Sequence, residues 1–99
     1  ASPCDEASWP DKDHDLVCGE CKVLVDNFSS KWKTCSGYCN FAVGHSCASA
    51  FEEKDDNCEV KHNMTCFETL SSSDAICECS PEPGILSLKA PSLVSARFT

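Results

Sequence analysis

The chain's 99 residues suffice for one domain, and a domain this short is marginal on burial of apolar surface alone. Ten of them are cysteine, which is the composition of a secreted disulfide scaffold rather than of a cytosolic enzyme. The net charge of −8, with no Lys/Arg cluster, disfavours nucleic acid and anionic membrane surfaces as partners, and no apolar run approaches the length of a membrane span.

Residues 1–17, ASPCDEASWPDKDHDLV, are polar and acidic and read as an irregular arm. Cys4 and Trp9 are its anchor points, and Trp9 is the aromatic best placed to contact another molecule. The start, without Met or an apolar leader, reads as a mature product or an excised piece. In ECKVLVDNF, Cys21, Val23 and Val25 alternate with Lys22, Leu24 and Asp26, the periodicity of a strand. SSKWKTCSGYCNFAVG reads as a helix. Ser29, Ser30 or Thr34 is its N-cap, and Trp32, Cys35, Cys39 and Val43 share one face. Gly37 weakens that helix by about 1 kcal/mol relative to alanine, and Gly44 suits its stop.

HSCASAFEE and NCEVKH flank the turn KDDN as a hairpin. MTCFETL and AICECS read as two further strands around SSSD, and PEPG closes the cysteine-bearing unit. The tail, ILSLKAPSLVSARFT, has no cysteine, glycine or acid, and alternates apolar with polar residues on either side of Pro91. The organisation expected is an irregular acidic arm (1–17), a disulfide-stapled domain (18–80) and an extended strand-like tail (81–99).

The cysteines dominate the chemistry. Cys18-Gly-Glu-Cys21 and Cys77-Glu-Cys79 could supply four thiolates to zinc, the first pair with the spacing of a common zinc half-site, but oxidation outside the cell turns such thiolates into disulfides. Full pairing of Cys4, Cys18, Cys21, Cys35, Cys39, Cys47, Cys58, Cys66, Cys77 and Cys79 is expected, among roughly nine hundred possible connectivities. Asp11, Asp13 and Asp15 open like a calcium loop, yet Leu16 and Lys22 stand where such a loop needs glycine and glutamate. No metal and no cofactor is therefore expected. His14, His45 and His62 lie in polar segments outside any nucleophile signature. Glu52, Glu53, Asp55 and Asp56 read as a solvated turn. No catalytic residue is assigned. Trp9, Trp32, Tyr38, Phe41, Phe51 and Phe67 could stack on sugar rings, but in so small a domain Trp32, Tyr38, Phe41, Phe51 and Phe67 are expected in the core. Asn27-Phe28-Ser29 and Asn63-Met64-Thr65 fit the N-glycosylation acceptor pattern, and with the cysteines they place the chain outside the cell, secreted or at the cell surface.

Residues 34–60 resemble the PAN/apple family. The likeness rests on the helical C-x-x-x-C of Cys35 and Cys39, followed by Cys47 and Cys58 in the hairpin SCASAFEEKDDNCEVK. The resemblance implies Cys39–Cys47 and Cys35–Cys58 bridges. A looser likeness, carried by C-x-x-x-C and the SDAICEC ending, is to cysteine-rich modules of secreted proteins in unicellular algae. For the other cysteines, VCGEC is expected to join CEC, leaving Cys4 to Cys66.

The fold expected is α+β, a small disulfide-rich domain with one helix packed on a twisted antiparallel sheet and an extended C-terminal tail. The function expected is that of a non-enzymatic secreted glycoprotein, a structural subunit of an extracellular filament, coat or matrix. It would self-associate through its tail, with Leu86, Leu88, Val94 and Phe98 setting the register of strand addition. The alternative is a monomeric module that recognises glycans or another extracellular protein, as the PAN/apple resemblance implies.

Overall fold

A computed structural model describes residues 4–71 and 73–83. Leu86, Leu88, Val94 and Phe98 lie outside the described residues, as does the expected tail beyond residue 83; residues 81–83, expected in that tail, belong to the strand Ala75–Pro83. Five strands form one antiparallel sheet: β1 (Lys12–Gly19), β2 (Lys22–Val25), β3 (His45–Lys54), β4 (Glu59–Met64) and β5 (Ala75–Pro83). Their spatial order is β1-β2-β5-β3-β4, so the last strand lies in the centre. The central position suits its sequence, since Ala75, Ile76 and Cys77 are all fully buried and a strand enclosed on both faces must be apolar on both.

Between β2 and β3 the chain is helical. A wide turn (Phe28–Trp32) precedes α1 (Cys35–Gly37), which continues into a π-helical stretch (Tyr38–Val43). Thr34 caps α1, its hydroxyl accepting a hydrogen bond from the Gly37 N–H at 2.9 Å. Gly44 ends the helical region in the left-handed conformation, φ 84°, where a side chain would be strained. Cys35, Tyr38 and Cys39 face inward and are fully buried against Val23, Val25, Phe28, Ala75, Cys77 and Cys79.

Gly37 has a reason that helix propensity does not show. A Cβ placed there would lie 2.5 Å from the Trp32 carbonyl oxygen and 3.3 Å from the Thr34 hydroxyl. The preceding turn folds back onto α1 so closely that only glycine fits. Gly37→Ala, which propensity alone would make stabilising, should instead lower stability by about 1–3 kcal/mol through this backbone clash. Urea unfolding checks this, and an unchanged or raised midpoint would refute the packing argument.

Two expected elements differ. Residues 12–17, expected to be irregular, belong to β1. The strand escaped detection because it lacks alternation and is broken by two register shifts, with His14 and Asp15 at φ 54° and 55°. Aspartate and histidine tolerate that left-handed region better than most residues. The rest of the arm is also fixed. Cys4 is bridged to Cys21. The buried Glu6 carboxylate accepts from the Cys21 N–H at 2.6 Å. The Lys12 ammonium donates to the carbonyls of Glu6, Ala7 and Trp9 at 2.8–3.1 Å, closing a short 3-10 turn (Glu6–Ser8). The second difference is MTCFETL. After Met64 closes β4, no strand forms over 65–70, because Thr65 and Glu68 bond their own backbone instead.

Candidate functional site

All ten cysteines are bridged: Cys4–Cys21, Cys18–Cys58, Cys35–Cys77, Cys39–Cys79 and Cys47–Cys66. The pairing differs from every partner assignment expected from the sequence. Cys35 and Cys39 reach not the β3–β4 hairpin but the C-x-C of β5. VCGEC is not joined to CEC, and Cys4 is not paired with Cys66. The physical reason is a match of repeats. Four residues of helix climb about 6 Å, and two residues of strand advance about 6.6–6.8 Å. A C-x-x-x-C on the helix and a C-x-C on one strand face therefore present sulfurs at nearly equal intervals, and two parallel bridges fasten helix to central strand.

Around this body three surface features carry chemistry. The first is the β4 edge. Glu59 to Asn63 are all exposed, and among the described residues the sheet ends there. The other margin, β1, is a poor template for a further strand because of its bulges and left-handed residues.

The second is a carboxylate cluster. Asp13 of β1, Asp56 of the β3–β4 turn and Asp74 before β5 bring carboxylate oxygens within 4.8 Å of one another. Asp74 is only 4% exposed, and its carboxyl is pushed up to about 7. Burial is the largest cause, followed by hydrogen bonding with Asp13; the Ser73 hydroxyl, donating at 3.1 Å, opposes the shift. Glu53 is also raised, chiefly by burial, and accepts from the Asp56 N–H at 2.6 Å. The acidic run is thus not wholly a solvated turn. Asp13 stands in DKDHD, Asp56 in the KDDN turn and Asp74 at the end of SSSD; nothing local in any of these stretches signals that Asp74 is placed beside β1.

The third is a neutral groove of about 350 Å³ beside α1, lined by Ser36, Asn40, Ser46, Cys47, Cys66 and Phe67. Phe67 is 77% exposed and Phe41 79%, which corrects their expected place in the core. Trp9 moves the other way. It is buried and meets Tyr38 edge-on at 6.4 Å, so it is an anchor and not a contact for another molecule. Trp32 packs edge-on against Tyr38 at 5.3 Å and its indole N–H donates to Asp11. The Tyr38 hydroxyl donates to the Pro10 carbonyl at 2.7 Å, and its pKa is raised by burial. Phe51 is half-buried, with the Lys22 ammonium 4.5 Å from its ring centroid.

The histidines are dispersed. His14 lies 3.7 Å from Asp13, His62 pairs with Glu52 at 3.0 Å, and His45 donates to the Ser80 carbonyl at 2.7 Å. Asn27 and Asn63 are both exposed, the first in a left-handed turn and the second on β4. No helix among the described residues is long and apolar enough to cross a membrane. Five disulfides in so small a domain are typical of extracellular proteins. Comparison with family models, with curated proteins and with solved structures finds no match to the chain.

Proposed function

We propose that this chain is a non-enzymatic secreted glycoprotein that serves as a subunit of an extracellular assembly. The tail of one copy would add as a strand to β4 of the next. The observation that carries the reading is the exposed β4 edge, which pairs with no further strand among the described residues and offers backbone groups as a template for one. The tail suits that role in length and charge. Ile85–Ala90 offers six residues before Pro91, and β4 has six. Lys89 and Arg97 are the only charged residues of 85–99, which leaves 6 basic against 16 acidic residues in the remainder. A contact between copies that does not close on itself propagates as a filament. Glycans on Asn27 and Asn63 would shield the faces beside it.

Light scattering on the full chain should show mass rising with concentration. A form lacking residues 85–99, and a full-length Leu88→Pro variant, should both stay monomeric. A monomeric full chain at high concentration sinks the proposal. The groove beside α1 favours a second reading, a monomeric recognition module of PAN/apple type for glycans or another extracellular protein, in which the full chain is monomeric and binds through that groove.

A further inference from the structure

Phe67 presents most of its ring to water, yet its backbone is tightly held. Cys66 is bridged to Cys47 of β3, and its carbonyl accepts from the Ser36 N–H at 2.9 Å. The Thr65 N–H donates to the Glu68 carboxylate at 2.7 Å, and the Phe67 N–H donates to the Thr65 hydroxyl at 3.4 Å. The carboxylate half of this pattern is that of a capping box, but the Thr65 hydroxyl accepts from Phe67, and the Glu68 N–H donates to the Thr65 carbonyl at 3.3 Å. Folding gains little from fixing an aromatic ring in solvent. Binding gains, because an ordered ring loses less entropy when a ligand arrives.

The groove beside the ring is neutral throughout. Its volume of about 350 Å³ lies at the lower end of the range for small-molecule sites. The Asn40 amide N–H donates to the Ser36 hydroxyl at 3.2 Å. The Asn40 carbonyl oxygen and the Ser46 hydroxyl make no hydrogen bond among the described residues. An aromatic face beside hydroxyl and carboxamide groups matches a ligand that has an apolar C–H face and a rim of hydroxyls. Among the described residues no charged side chain lines the groove to hold an ionic ligand, and the chain's net charge of −8 repels acidic ones.

We infer that the groove between α1 and the Thr65–Glu68 turn is a binding site for a neutral saccharide, its ring stacked on Phe67 and its hydroxyls bonded by Asn40, Ser36 and Ser46. The inference rests on the groove-binding part of the second reading and names its ligand class; because the site is separate from the β4 edge, neither a monomer nor a polymer in light scattering decides it.

The test is an array of neutral, sialylated and sulfated glycans probed with the full chain, then calorimetric titration with the neutral oligosaccharide retained best. Retention should be confined to neutral glycans. Phe67→Ala should weaken binding about tenfold or more and Asn40→Ala by a smaller factor, as for a central aromatic and its polar neighbour. Phe41→Ala, at the other exposed phenylalanine, should change nothing. A non-reducing peptide map identical to wild type verifies each variant's fold. The inference is overturned if no neutral glycan is retained, if acidic glycans are retained equally, or if Phe67→Ala binds as wild type.

Discussion

Removing both helix-to-strand bridges together should cost about 1 kcal/mol more than twice the loss of either one. With Cys39–Cys79 intact, the Cys35–Cys77 bridge closes a ring of only about eight residues, through 35–39 and 77–79, and chain entropy assigns it about 2–3 kcal/mol. With its neighbour gone, the survivor closes a ring of about 23–25 residues, because Cys47–Cys66 shortcuts the separation of 40 or 42, and its own removal then costs about 3–4 kcal/mol. The single replacements Cys35→Ala/Cys77→Ala and Cys39→Ala/Cys79→Ala should therefore leave folded protein with lowered urea midpoints. The quadruple replacement loses about 6 kcal/mol, comparable to the whole stability of a domain this size. It should have no cooperative transition at 37 °C. Costs that simply add across the two pairs would show that the bridges do not constrain one common loop.

A second large effect is a stability that falls as pH rises through neutrality. Asp74 ionises in the folded chain at about 7, against an ordinary 3.8. Between about pH 4 and 7 the native state therefore holds a proton that the unfolded chain has released. Unfolding free energy is largest below pH 4, declines across this window, and levels off above pH 7. Three units at 1.36 kcal/mol each cap the effect at about 4 kcal/mol. Glu53, raised in the same direction by burial, adds with the same sign. Urea midpoints at pH 5, 6, 7 and 8 should fall in that order. Asp74→Asn, neutral at every pH, should flatten the series and be more stable than wild type at pH 8. If the variant kept the wild-type slope, general repulsion among the 16 acidic residues, and not this cluster, would be responsible.

Particular residues show how much of this was legible. The hairpin of β3 and β4 could be read because a polar turn sits between two short runs, and the adjacent strands pair without a long loop to close. Gly44 could be read because a helix stop is a one-residue conformational demand. β1 was hidden, since its bulges and left-handed residues erase the two-residue period by which a strand is recognised. Trp9 and Phe67 exchanged their expected roles for a similar reason. Hydrophobicity alone does not say which aromatic a bridge carries inward and which a locked turn holds out.

The carboxylate cluster illustrates the same limit at the level of the site. Asp13, Asp56 and Asp74 are 43 and 18 residues apart in sequence, and only the placement of β5 between β2 and β3 brings their segments to one end of the sheet. The neutral groove likewise combines the helix, β3 and the loop after β4.

By itself the sequence determined the kind of molecule: a short acidic chain dependent on sulfur cross-links, α+β in class, with a helix ahead of a hairpin and the marks of an oxidising compartment. These properties are local or compositional, so each can be read without knowing what lies nearby. The tertiary structure alone decided which sulfur meets which, that the last strand runs through the middle, and where acids and exposed rings converge. A disulfide forms only between Cβ atoms a few ångströms apart, and with partners 17 to 42 residues apart in the chain that proximity is created by the whole sheet and by no segment of it.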